Sequence, residues 1–130
     1  MNNFHIEGQD YIPEIYFDAT KKELNISGES YHEYTVEFYQ PVFEWVANFL
    51  KTPKMHISLN FKMSYFNTSS SRRFLELLNM LEEYQHTQNG SVVVNWYYEE
   101  DDPDMLETGE EYENDVDLKF NLVPLATAEM

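Results

Sequence analysis

The stretch MHISLNFKMSYF, residues 55–66, alternates between apolar and polar side chains from Met55 to Tyr65. A period of two is typical of a β-strand with one buried and one exposed face. Because strands covered on both faces read as continuous apolar runs, the alternation favours a sheet with helices on one face. The predicted inner face comprises Met55, Ile57, Leu59, Phe61, Met63 and Tyr65. The predicted outer face comprises His56, Ser58, Asn60, Lys62 and Ser64.

A helix and a second strand follow this stretch. The segment SSSRRFLELLNMLEEYQ, residues 69–85, has an apolar stripe at helical spacing, and Asn89-Gly90 is a helix stop signal. The next segment, VVVNWYY at 92–98, is almost continuously apolar. Strand 55–66, the helix and strand 91–98 therefore predict a βαβ unit with parallel strands and a right-handed crossover.

The preceding sequence predicts a hairpin and a helix. The segment EIYFDATKKELNISG, residues 14–28, has two alternating runs around a polar turn at Thr20–Lys22, and Phe4–Glu7 predicts a short edge strand. The segment VEFYQPVFEWVANFL, residues 36–50, has helical apolar spacing. This helix either begins at Pro41 or begins near Thr35 and is kinked by the proline.

The last predicted elements are a short helix that starts at Asp102-Pro103 and a strand at 118–122. Strands and helices that alternate in this way predict the α/β class. We expect a single mixed β-sheet with helices mainly on one face. The predicted domain covers residues 1–123, and residues 124–130 form a C-terminal tail.

Charge limits the classes of partner. The 130 residues include 24 Asp plus Glu and only eight Lys plus Arg, for a formal net charge of -16. Such a surface repels nucleic acid and anionic membrane, and it suits a basic protein partner. The alternative is that the acid only keeps an aromatic-rich surface in solution. The absence of cysteine and of an apolar run long enough to span a membrane predicts a cytoplasmic protein.

Signals for catalysis and for cofactors are weak. The four histidines are scattered, the four glycines form no phosphate-binding loop, and we expect no cofactor and no metal. The acidic run at 99–117 lacks the ligand order of a calcium loop. It is either a solvated face or a docking surface for a basic partner. Nothing in the sequence shows two carboxylates converging, so we expect that the protein is not an enzyme.

Four hydroxyl side chains follow strand 55–66 where the next helix begins. One of them, Thr68 or Ser69, is enough to cap the helix. A helix N-terminus also tolerates an anion, so a hydroxyl here could carry a phosphate that Arg72 or Arg73 reaches. Capping and a phosphorylation switch both remain open from the residues alone.

The segments VEFYQPVFEWV, LNFKMSYFNTSSSR, VNWYYEEDDPDMLE and VDLKFNL together resemble the SiaC-type regulatory phosphoproteins of bacteria. This family was long catalogued as a domain of unknown function. The similarity extends from about Pro13 to Leu122, and YFNTSSS followed by NWYY is its most specific part.

The resemblance implies a fold similar to anti-sigma-factor antagonist (STAS-like) domains and a role in partner switching. A cognate Ser/Thr protein kinase would phosphorylate Thr68, and a metal-dependent PP2C-type phosphatase would remove the phosphate. The unphosphorylated form would bind and activate a diguanylate cyclase, which raises cyclic di-GMP and promotes aggregation or biofilm formation. The residues expected beside the switch and the partner surface are Tyr65, Phe66, Asn67, Ser69, Ser70, Ser71 and Arg72.

Two other functions stay open at this stage. A constitutive acidic adaptor would bind a basic partner equally well with or without phosphate. A small hydrolase would lose turnover when a pair of carboxylates is replaced.

Overall fold

The structure is a computed structural model that describes residues 1–126. Six strands and three helices alternate along this range. The strands are β1 (Phe4–Ile6), β2 (Glu14–Asp18), β3 (Glu23–Ser30), β4 (His56–Phe66), β5 (Ser91–Glu99) and β6 (Lys119–Leu125). The helices are α1 (Thr35–Phe49), α2 (Thr68–Thr87) and α3 (Pro103–Asp115).

All six strands form one mixed sheet in the order β1-β2-β3-β4-β5-β6. The first three strands are antiparallel, and β3 to β6 are parallel. Each parallel strand is connected to the next by a helix. Because such crossovers are right-handed and each new strand is added at the same edge of the sheet, all three helices lie on the same face. The predicted α/β class, the mixed sheet, the edge strand, the hairpin and the βαβ unit are confirmed.

The core lies between the helices and one face of the sheet. Alternate residues of the four central strands are buried there, including Leu24, Leu59 and Val94. Trp96 is fully buried, and its Nε1 donates to the carbonyl oxygen of Met105 in α3 at 2.9 Å. The alternation in the sequence thus separates the packed face from the open face.

A row of asparagines crosses the open face of the sheet. The register pairs Asn25 with Asn60, Asn60 with Asn95, and Asn95 with Asn121. Their side-chain amides are linked by hydrogen bonds of 2.9, 2.8 and 2.9 Å. This row satisfies polar side chains on a face that no helix covers within the described residues.

Several element boundaries differ from the sequence prediction. Helix α1 begins at Thr35 and contains Pro41, so the second of the two alternatives is correct for its start. Helix α2 ends at Thr87, and Asn89 adopts a left-handed φ of 57°. Strand β6 extends to Leu125, and residues 127–130 of the predicted tail lie outside the described residues.

Candidate functional site

A single residue, Asn67, connects β4 to α2 and caps the helix. Its extended backbone lets Oδ1 accept a hydrogen bond from the Ser70 N–H at 2.9 Å. Its carbonyl oxygen accepts from the Ser71 N–H, also at 2.9 Å. The prediction that Thr68 or Ser69 is the cap is wrong, because Asn67 already occupies the capping position. Thr68 is instead the first residue inside the helix.

Ser70 is fully buried against the end of β3. Its Oγ donates to the carbonyl oxygen of Ser30 at 2.7 Å and lies 2.8 Å from Ser30 Oγ. Ser30 Oγ also lies 2.7 Å from the Tyr39 hydroxyl of α1. Because each hydroxyl has one proton, Tyr39 donates to Ser30 Oγ, and Ser30 Oγ donates to Ser70 Oγ. The second serine of the run therefore joins β3, α1 and α2.

Ser69 and Ser71 form hydrogen bonds to the two neighbouring helices, α1 and α3. Ser69 Oγ makes a hydrogen bond to Oγ1 of the buried Thr35 at the start of α1. Ser71 Oγ lies 2.8 Å from the Tyr112 hydroxyl of α3, which donates to the Ser71 carbonyl oxygen at 2.9 Å. All three serines thus hold the N-terminus of α2 in place.

Thr68 differs from the three serines. Its side chain is exposed, and Oγ1 makes no hydrogen bond to any residue in the range 1–126. The helix itself provides no acceptor for the backbone N–H groups of Thr68 and Ser69, because these are its first two positions. One hydroxyl of the run is therefore free, at the positive end of the helix dipole.

The two arginines that follow have different surroundings. Arg72 is exposed and lies four positions after Thr68, so the two side chains share one helix face. Arg73 Nη2 forms a 2.9 Å ion pair with Glu76, and the Arg73 side chain is largely buried. Its Nε is buried without a hydrogen-bond partner among the described residues. Arg72 is thus the arginine available to an anion on Thr68.

A β-bulge changes which side chains of β4 face the core. Gly28 pairs with Met63, but Glu29 pairs with Tyr65, so Ser64 is an extra residue in β4. A shift of one residue exchanges the two faces of a strand. The prediction that Tyr65 lies on the inner face is therefore wrong, and the residue is 52% exposed.

Phe66 takes the inward position that the alternation assigned to Tyr65. Its ring centroid lies 5.0 Å from that of Phe74 in α2 and 5.9 Å from that of Trp96 in β5. Phe66 therefore anchors the β4–α2 connection to the core, and Tyr65 projects from the surface three residues before Thr68.

Burial keeps the hydroxyl groups of Tyr39 and Tyr112 in this network protonated. Desolvation raises the pKa of Tyr39 far above its ordinary value. Desolvation also raises the pKa of Tyr112 to about 12, and the hydrogen bond with Ser71 opposes this shift. Both hydroxyls are protonated at neutral pH and act as hydrogen-bond donors.

A separate depression of about 580 Å³ lies at the amino ends of β4, β5 and β6. His56 Nδ1 and Ser91 Oγ form a hydrogen bond there. The carboxylate of Asp117, which also lines it, lies 3.2 Å from His86 Nε2 instead. These residues therefore do not form the Ser-His-Asp relay of a hydrolase.

The described residues also limit two other classes of site. Across positions 1–126, His, Asp and Glu form no group of three that could hold a metal ion. In the same range no helix is both long enough and apolar enough to cross a membrane.

Sequence reasoning missed the partners of the three serines, namely Ser30, Thr35 and Tyr112, and it missed Tyr39, which bonds to Ser30. Ser30, Thr35 and Tyr112 are separated from the serines that they contact by 34 to 41 positions in the chain. No local spacing could have indicated these contacts, since they depend on how α1 and α3 pack beside α2.

Residues 6–125 match a family described as SiaC family regulatory phosphoprotein. This chain belongs to the SiaC family. An uncharacterised protein of Pseudomonas aeruginosa strain UCBPP-PA14 is 31% identical to it over 120 residues, which cover 92% of this chain and 94% of the relative.

Two solved structures have the same fold as this SiaC-family chain. SiaC of Pseudomonas aeruginosa superposes with a TM-score of 0.86 at 29% identity, over 96% of this chain and 100% of the other. The second is from a crystal structure of the diguanylate cyclase SiaD in complex with its activator SiaC, also from Pseudomonas aeruginosa. It gives a TM-score of 0.87 at 29% identity, over 94% of this chain and 99% of the other. In that complex SiaC is the activator of the diguanylate cyclase SiaD.

Proposed function

We propose that this chain is the regulatory phosphoprotein of a partner-switching module. A cognate Ser/Thr protein kinase phosphorylates Thr68, and a PP2C-type phosphatase removes the phosphate. The unphosphorylated form binds and activates a diguanylate cyclase and thereby raises cyclic di-GMP, which promotes aggregation or biofilm formation. The protein itself catalyses no reaction and acts in the cytoplasm, where a kinase finds ATP.

The observation that supports Thr68 is the difference between it and the three serines beside it. Ser69, Ser70 and Ser71 each bond to another element, so a phosphate on any of them would break a contact of the fold. The Thr68 side chain is exposed and has no such contact within residues 1–126. A kinase can therefore reach Thr68 and modify it without unfolding the protein.

The electrostatics of the position favour a phosphate. The N–H groups of Thr68 and Ser69 have no acceptor within the helix, and the dipole is positive here. Arg72 lies on the same helix face as Thr68 and can contact the phosphate oxygens. These groups would therefore stabilise the negative charge of a phosphate on Thr68 of the folded protein.

The phosphate would act as an off signal because of its charge. It adds about -1.5 to -2 charge beside the exposed Tyr65. Burying that dianion in an apolar or acidic surface of a partner costs several kcal/mol, which corresponds to about a thousandfold loss of affinity. One modification is enough to separate the two proteins.

The test compares unmodified protein with protein that carries phosphothreonine at position 68. We expect calorimetry with the cognate cyclase to show tight binding of the unmodified form and about a thousandfold weaker binding of the phosphorylated form. Incubation with the kinase and ATP should give a single ester on Thr68, which Thr68→Ala abolishes. Thr20→Ala is the matched control, because Thr20 is an exposed threonine in the β2–β3 turn.

Two other outcomes would overturn the proposal. Equal affinity of the two forms for the cyclase would replace the switch with a constitutive acidic adaptor. Esterification of Ser70 in place of Thr68 would show that the buried hydroxyl network does not protect it.

A further inference from the structure

Three tyrosine rings pack edge to face on the surface at the carboxyl end of β3. Tyr11 comes from the loop before β2, Tyr31 follows β3, and Tyr65 is turned outward by the bulge in β4. The Tyr11 and Tyr31 centroids are 5.2 Å apart, and those of Tyr31 and Tyr65 are 5.4 Å apart. Tyr11 and Tyr65 remain 55% and 52% exposed, so these rings are not part of the core.

The loop that presents Tyr11 is strained and firmly held. Tyr11 has a φ of 74°, which is unfavourable for a large side chain. Gln9 and Ile12 exchange two backbone hydrogen bonds of 3.0 and 3.1 Å across it. The Tyr11 carbonyl oxygen accepts from the Tyr31 N–H at 3.0 Å. Strain that the surroundings maintain is common where a side chain must be presented to a ligand.

Two of these rings, Tyr11 and Tyr31, form part of a concavity of about 340 Å³, which we name the tyrosine cage. It is lined by Tyr11, Tyr31, His32, Glu33 and Tyr34. His32 Nδ1 accepts from the Tyr34 N–H at 2.9 Å, and its ring stacks on Phe38 at 5.9 Å. The His32 wall is thus held in place before any ligand arrives, and the space is large enough for one long side chain.

The cage is electrostatically negative. Glu33 is one of its lining residues. Partial desolvation and then the carboxylates of Glu29 and Asp10 raise the pKa of the Tyr31 hydroxyl, so these two acids lie close to the ring. The faces of the tyrosine rings also attract positive charge. Both features select a cation, and the planar guanidinium of arginine can stack on the rings as lysine cannot.

We propose that the tyrosine cage binds an arginine side chain that a partner protein inserts into the concavity. The site does not depend on phosphorylation of Thr68 or on the identity of the cyclase. It lies beside the proposed switch, because Tyr31 directly follows Ser30, which contacts Ser70.

The test is an NMR titration of the full, unphosphorylated chain with N-acetyl-arginine methylamide. The matched neutral probe is the citrulline analogue, which keeps the shape and removes the charge. We expect the arginine probe to shift the ring signals of Tyr11, Tyr31 and Tyr34, and the citrulline probe to bind at least about fivefold more weakly. Tyr11→Leu and Tyr34→Leu should each weaken arginine binding about two- to fivefold.

The control variant is Tyr16→Leu, which removes an exposed ring from the open face of the sheet. The proposal is overturned if citrulline binds as well as arginine, if Tyr16→Leu weakens binding as much as the cage variants, or if the shifts are confined to α3. If Tyr11→Leu alters the strained loop, Tyr34→Leu decides the question, because Tyr34 is 59% exposed.

Discussion

At the scale of single residues, Ser70 and Thr68 lie two positions apart, but their substitution should affect stability to very different extents. Ser70→Ala removes the donor to the Ser30 carbonyl and the acceptor for Ser30 Oγ in a fully buried site. We expect it to lower the free energy of unfolding by about 1–3 kcal/mol. Thr68→Ala should change this free energy by less than about 0.5 kcal/mol.

Urea denaturation of the two variants and the wild type measures both values. Equal losses would contradict the assignment of one free and one structural hydroxyl. The comparison needs no kinase or partner, so it tests the geometry of the site separately from its function.

The buried tyrosines should make the protein sensitive to alkaline pH. Tyr112 has a pKa near 10 in the unfolded chain and about 12 when folded. Above pH 10 the unfolded state releases this proton first, so stability is intact below about pH 10 and falls as the pH rises toward 12. Tyr39, whose pKa is also raised by burial, contributes with the same sign.

Thermal unfolding between pH 8 and pH 12 should therefore show a steeper loss of stability in the wild type than in Tyr112→Phe. Tyr16→Phe, at an exposed position, serves as the control and should follow the wild type. A Tyr112→Phe curve parallel to that of the wild type would show that Tyr112 does not titrate as stated.

At the scale of elements, the row of asparagines on the open face should stabilise the sheet most at its centre. Asn60 donates to Asn25 and accepts from Asn95, so Asn60→Ala removes two hydrogen bonds from a partly buried position. We expect a loss of about 1–2 kcal/mol. Asn121→Ala removes one bond at the exposed end of the row and should cost less, about 0.5 kcal/mol.

Denaturation midpoints of the two asparagine variants test this difference. A cost for Asn121→Ala equal to that for Asn60→Ala would show that the row does not act through its linked amides.

The sequence predicted elements well where their pattern was local and poorly where it was not. The alternation of residues 55–66 was enough to identify β4 and its inner face up to Met63. The bulge at Ser64 arises from pairing with β3, so nothing within β4 indicated that Tyr65 would turn outward. The Asn67 cap could have been found from its residue type and position, since asparagine caps helices as well as serine does.

The position of Thr68 as a candidate switch came from resemblance to the SiaC family and not from spacing. The residues alone left capping and phosphorylation open. What separates Thr68 from its neighbours is the set of hydroxyl partners on β3, α1 and α3. Those contacts are a property of the packed structure, so local sequence patterns do not contain them.

At the scale of the whole molecule, the net charge of -16 should destabilise the fold through self-repulsion. Among residues 1–126, the one ion pair that does not depend on a histidine joins Arg73 to Glu76. Most carboxylates therefore have no cationic partner there, and α3 places several of them on one exposed surface. Glu107, Glu110 and Glu113 are exposed members of that helix.

Screening should consequently stabilise the protein. Raising NaCl from about 0.01 M to about 1 M shortens the Debye length from about 30 Å to about 3 Å, and we expect the free energy of unfolding to increase. The triple variant Glu107→Gln, Glu110→Gln, Glu113→Gln should be more stable than the wild type at low salt and respond less to added salt. Lys21→Gln with Lys51→Gln removes positive charge and should steepen the response. Salt curves that are parallel for all three proteins would show that the negative charge of α3 is neutralised by other groups of the fold. The carboxylates of α3 would then not be free to attract a basic partner.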